Sequence, residues 1–228
     1  MRAIVCAVAL SACASVTPLS AHQTTQPEWD DGLARLARLR ASFPMKPYTQ
    51  TIGVDLFEPR SRRHLTGRGA VGVDPGHAMR MILVGPMGGR ALDVWVTREA
   101  WRMEVPAVHL LRRGGVDAPS SLPIGFFRSW FVDPLGGRPL ALGPGGELIV
   151  RDIAGGTLRI TEEAYGAHVD RRHGASGETF TYAKRPEGDR ARYVDHATGL
   201  EVDVTLDPIQ ASPPDPDAFV DPDLASRP

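Results

Sequence analysis

The chain has 228 residues, 42% of them apolar, and a formal charge of −1. That is enough for one substantial core, and the near-neutral balance excludes the basic footprint of a nucleic-acid binder. Its two cysteines, Cys6 and Cys13, both lie near the N-terminus. The body beyond them therefore has no disulfide, even in an oxidising compartment, and must be stabilised by burial.

The N-terminus opens with one basic residue, Arg2, an apolar run over 3–10 and the small residues Ser11 and Ala12 before Cys13. This order predicts a secretory signal peptide over 1–12. With cysteine directly after the cut, Leu10-Ser11-Ala12-Cys13 resembles the bacterial lipobox. That resemblance implies a lipidated Cys13 as the mature N-terminus. Ala14 and Ser15 follow rather than Asp, which implies the outer membrane, with the protein facing the periplasm. The apolar run is far shorter than the ~20 residues that span a bilayer. Residues 13–26 read as a flexible tether.

Pro27-Glu28-Trp29-Asp30-Asp31 begins a helix: proline and acids suit the first turn. Trp29, Leu33, Leu36, Ala37 and Arg40 fall at helical spacing, and Pro44 and Pro47 stop it. The pattern then changes to period two. Strands are expected near 48–57, 65–73, 78–84, 91–97, 100–105 and 108–112, with a hairpin at Thr97–Ala100. The segment 122–131 has apolar residues at three-to-four spacing and predicts a short helix buried on more than one side. Strands resume near 147–153, 157–160, 163–171, 178–184, 190–196 and 200–206. From 208 to 228 proline alternates with aspartate, which predicts a disordered acidic tail. High glycine and proline counts, 24 and 20, fit a turn-rich, mainly β chain.

Two segments resemble the LolB side of the LolA/LolB lipoprotein-carrier superfamily. One is Gly85-Pro86-Met87-Gly88-Gly89-Arg90 between two strands. The other is Leu122-Pro123-Ile124 followed by Phe126, Phe127 and Trp130. The resemblance covers roughly Trp29 to Leu206. It implies a mainly β fold over 27–207: an incomplete antiparallel half-barrel of about 11 strands, with the N-terminal helix and the short inserted helix covering its concave face. It further implies that the concave face holds lipoprotein acyl chains. Met79, Met81, Leu83, Trp95, Trp101, Met103, Phe126, Phe127 and Trp130 are the candidates to line such a cavity, methionine being adaptable enough for a loose fit. Met87 matches the family's exposed apolar loop residue, implicated in handing lipoprotein to the membrane. The implied partners are lipoprotein acyl chains, a periplasmic lipoprotein carrier and the outer membrane through Cys13; the chain is expected to be monomeric. A structural or assembly lipoprotein that docks a protein partner is the alternative, favoured if the cavity is filled by its own side chains.

Catalysis finds no support in the residues. There is no Gly-x-Ser-x-Gly elbow or phosphate loop. His168 and Asp170 share a strand face near His173, but Arg171 and Arg172 would repel a cation, so no metal is expected. Asp152, Glu162 and Glu163 read as surface carboxylates. No cofactor is implied.

Overall fold

The computed structural model describes residues 24–117, 122–174, 176–185, 188–210 and 213–225. The expected signal peptide, the lipidation site Cys13 and most of the tether lie outside these. The first element is α1 (Gln26–Ala41). It starts earlier than the sequence pattern suggests because Thr25 caps it. The Glu28 carboxylate accepts both the Thr25 N–H and its hydroxyl, at 2.8 Å each.

Thirteen strands follow among the described residues. An N-terminal meander comprises β1 (Tyr48–Glu58), β2 (Arg63–Asp74), β3 (Ala78–Val84), β4 (Arg90–Thr97), β5 (Trp101–Val105) and β6 (Leu110–Gly114). A second meander comprises β7 (Arg138–Leu142), β8 (Leu148–Arg151), β9 (Thr157–Glu163), β10 (Gly166–His173), β11 (Ser176–Ala183), β12 (Asp189–Asp195) and β13 (Glu201–Leu206). Pairing of β1 with β13, from Ile52 opposite Leu206 to Phe57 opposite Glu201, fuses both meanders into one antiparallel sheet. Its order is β6-β5-β4-β3-β2-β1-β13-β12-β11-β10-β9-β8-β7, so the sheet stays open with β6 and β7 as edges. The fold is mainly β, as expected from the alternation.

The differences in detail have local causes. Pro106–Val108 forms a 3₁₀ turn closed by His109 in the left-handed region (φ 50°), which delays β6 to Leu110. β7 is short and carries Pro139, which a strand tolerates at a sheet edge, and it was not foreseen. β9 extends to Glu163 and the turn falls after it, splitting the expected segment 163–171.

Connectivity explains the inserted helix. The chain leaves one edge at β6 and must re-enter at the opposite edge, β7. Between them α2 (Ile124–Phe127) runs directly into a π-helical turn, Arg128–Val132. This segment packs on the inner face of the sheet together with α1. Inner-face residues from both meanders join one core: Ile52, Val71, Met79, Met81, Val94, Leu158, Val169, Phe180, Tyr193 and Val204 among them. Close strand approach constrains this face at Gly69, where an added Cβ would sit 1.9 Å from the Ile82 carbonyl oxygen.

Part of the acidic tail carries local structure among the described residues. Residues 213–225 form a 3₁₀ turn (Pro216–Phe219) and α3 (Pro222–Ala225). They lie against the outer face of the first meander. The Trp95 indole N–H donates to the Phe219 carbonyl at 2.9 Å, and Asp223 pairs with Arg102 at 3.1 Å and Arg113 at 2.8 Å. One acid of the tail, Asp223, thus finds the arginines of β5 and β6, which composition alone could not reveal.

Candidate functional site

Strand register sorts the expected cavity residues onto faces. Met79 stands opposite Val96, Met81 and Met103 both stand opposite Val94, Leu83 faces Leu92, and Trp101 faces Val96. Residues directly opposite share a face, so these five lie together on the inner face, all buried. Trp95 does not join them. It stands opposite Arg80 and Arg102, on the outer face under the C-terminal segment. The alternation that puts Val94 and Val96 inside necessarily puts Trp95 outside; its hydrophobicity alone had suggested the cavity.

Phe126, Phe127 and Trp130 project from the inserted helix into the same core. Phe126 is 0% exposed. Its ring lies 5.3–5.7 Å from those of Phe127, Trp130, Phe180 and Tyr193. The inner face around Phe126 is therefore filled by the protein's own side chains.

Two arginines hold this plug, Arg128 buried and Arg171 partly so. Arg128 donates to the Thr97, Val116 and Gly115 carbonyls at 2.9, 2.6 and 3.4 Å, tying the helix to the ends of β4 and β6. Burial, and then the nearby Arg171 charge, push its pKa down. Arg171 donates to Asp152 at 2.6 Å and to Glu178 at 3.1 Å. Burial pulls its pKa down, but the Glu178 and Asp152 charges outweigh this and hold it up. An added Cβ at Gly125 would sit 2.8 Å from the Arg171 guanidinium, so the helix rests directly on this ion network. Asp152 is thus half-buried in an ion pair, not free on the surface as its turn position suggested. Glu162 and Glu163 are exposed. Burial raises the Glu178 carboxyl, opposed by Arg171. No sequence pattern announced Glu178 or Arg128; their role follows from long-range packing.

α1 covers the face differently. Leu36 and Leu39 are buried, but an open apolar groove of about 460 Å³ runs along the helix, lined by Leu33, Leu36, Ala37, Arg40, Met45 and Pro139. Leu33 is 37% and Met45 79% exposed. Arg40 spans from α1 to the Leu135 and Gly137 carbonyls, at 2.8 and 3.1 Å. This volume lies within the ordinary range for small-ligand sites.

Met87 occupies the turn between β3 and β4 and is 100% exposed. Gly88 at φ 78° supplies the left-handed turn, closed by the Gly88 N–H donating to the Gly85 carbonyl at 2.9 Å. Met87 therefore points away from the core.

His168 and Asp170 share a face and lie 3.3 Å apart, and the Thr179 hydroxyl donates to Asp170 at 3.0 Å. His173 lies exposed at the end of β10. No helix among the described residues is long and apolar enough to cross a membrane.

No protein-family model and no curated protein matches this chain. Solved structures similar to it include a LolA superfamily protein from Nitrosomonas europaea, at 11% identity over 84% of this chain and 97% of that one, TM-score 0.49. A DUF1329 family protein from Desulfovibrio piger shares 11% identity over 86% and 98%, TM-score 0.44. A putative outer membrane lipoprotein-sorting protein domain from Vibrio parahaemolyticus shares 11% identity over 85% and 95%, TM-score 0.39.

Proposed function

We propose that this protein is a LolB-like carrier that binds the acyl chains of lipoproteins and helps deliver them to the outer membrane, itself anchored there through Cys13 and facing the periplasm. The observation that carries this reading is the open apolar groove beside α1, at the border of an inner face whose core is otherwise full. An acyl chain enters along α1 and displaces that helix from the sheet, while the inserted helix stays in place. Cargo arrives from a periplasmic carrier, and the exposed Met87 lies at the point of release. The proposal assigns no catalytic step.

Photocrosslinking with a diazirine-bearing palmitoyl lipopeptide tests it. Label is expected on Leu33, Ala37 and Met45, and Ala37→Trp, which fills the groove from an exposed helix position, is expected to reduce it about tenfold. Met87→Glu is expected to keep cargo binding and abolish transfer to outer-membrane vesicles. Labelling unaffected by Ala37→Trp, or transfer unaffected by Met87→Glu, overturns the respective assignment. The filled core around Phe126 favours a second reading, an assembly lipoprotein that docks a protein partner. Absence of any acyl labelling in a folded protein selects that reading.

A further inference from the structure

In an antiparallel meander alternate turns lie at one end of the strands, so the turns β1–β2, β3–β4 and β5–β6 project together from the first meander. All three carry exposed apolar residues: Leu65 (59%) beside the first, Met87 at the second, and Val108 (67%) at the third. The first turn also carries Arg60, Arg62 and Arg63, all exposed. Arg62 and Arg63 form no ion pair among the described residues. Glu58 at the start of this turn accepts the backbone N–H groups of Arg60 and Ser61 at 3.0 and 2.7 Å, and its charge offsets one of the three arginines. These bonds hold the turn in a fixed shape, with Arg62 in the left-handed region (φ 53°). Three guanidinium groups against the one Glu58 carboxylate leave this turn net positive in a chain of charge −1.

We infer that this end of the meander docks on an anionic phospholipid surface, with Arg60, Arg62 and Arg63 holding headgroup phosphates while Met87, Leu65 and Val108 enter the interface. Charge complementarity selects the phosphate layer, since guanidinium matches phosphate by paired hydrogen bonds. The apolar tips select a bilayer over an acidic protein, because an interfacial site needs apolar groups beside the cations. The inference deepens the delivery reading and rests on it for its biological meaning, by naming the acceptor surface.

The test is co-sedimentation of the full chain, carrying Cys13→Ala so that no lipid of its own contributes. Vesicles of phosphatidylcholine, with and without phosphatidylglycerol, are compared. Phosphatidylglycerol is expected to strengthen binding at least about tenfold, and about 0.5 M salt to remove that gain. The triple variant Arg60→Gln/Arg62→Gln/Arg63→Gln is expected to lose the gain, while Arg190→Gln, on β12, keeps it. Met87→Ser is expected to weaken binding to both vesicles. Binding that ignores phosphatidylglycerol, or survives the triple variant, overturns the inference. So does capture by immobilised polyglutamate without vesicle binding, which selects an acidic protein instead. The assay uses no cargo, so a failure here with acyl labelling intact sinks this inference alone.

Discussion

The two helical covers of the inner face are held in different ways. The inserted helix sits on rings and buried charges: Phe126 touches four aromatic rings, Arg128 binds three carbonyls, and Arg171 stands beneath Gly125. α1 is held mainly by Leu36, Leu39 and the arginines Arg35 and Arg40, which reach the Gly146 and Leu135 carbonyls, and a solvent-open groove runs beside it. Moving the first means leaving buried polar groups unsatisfied. Moving α1 exposes fewer apolar side chains and returns its arginines to water. The difference assigns rigidity to the plug and mobility to α1, and each prediction below tests that division.

The largest effect is expected at the plug. Phe126→Ala removes a wholly buried ring from a site enclosed by other rings, where collapse is limited. It should cost about 3–5 kcal/mol in urea unfolding. Leu36→Ala, on the inner face of α1, should cost about 2–3 kcal/mol, the low end for a buried leucine, because the groove beside it lets the site relax. Native-state hydrogen exchange sharpens the contrast: Leu36→Ala should speed exchange within α1 alone, whereas Phe126→Ala should do so throughout the sheet. Equal spread in both variants would break the comparison.

The ion network adds a pH signature. Glu178 has a pKa raised in the folded state, chiefly by burial. A carboxyl whose folded pKa exceeds its unfolded value favours the fold when protonated. Its stabilising contribution is therefore present below the unfolded value near 4.5 and is lost as pH rises through the raised folded value. Wild type should gain stability relative to Glu178→Gln as pH falls through that window, measured by urea midpoints at successive pH values. A constant difference would mean that Arg171 holds Glu178 ionised at its ordinary value.

How much of this was readable beforehand varies with the range of the interaction. Period-two alternation located most strands, and the apolar segment 122–131 read as a helix buried on more than one side because apolar residues recur along it at three-to-four spacing. Arg128 lies within that same segment, yet its partners Thr97, Gly115 and Val116 are distant in sequence, so its buried role was invisible. Asp152 and Glu178 escaped for the same reason: each looks like a surface acid until Arg171 is brought between them. Trp95 shows the opposite error. Its face was legible from Val94 and Val96, but residue type outweighed register. β7 escaped because Pro139 argues against a strand unless the edge position is known.

The smallest predicted effect concerns Trp95 and the tail. Trp95→Phe keeps an apolar ring on the outer face but removes the indole N–H that donates to the Phe219 carbonyl. Losing one such bond should cost about 1 kcal/mol. Because this bond joins the outer face to the tail, whose other described ties include the two Asp223 ion pairs, one of them ending on the exposed Arg113, the loss should fall on the tail rather than on the sheet. Limited proteolysis should then cleave near Phe219 several times faster, with the urea midpoint of the body nearly unchanged. The same variant should leave acyl labelling at α1 unaltered, since Trp95 and the groove lie on opposite faces of the sheet. A change in labelling would mean that the outer face reports on the inner one, and that the rigid plug is not an effective barrier between them.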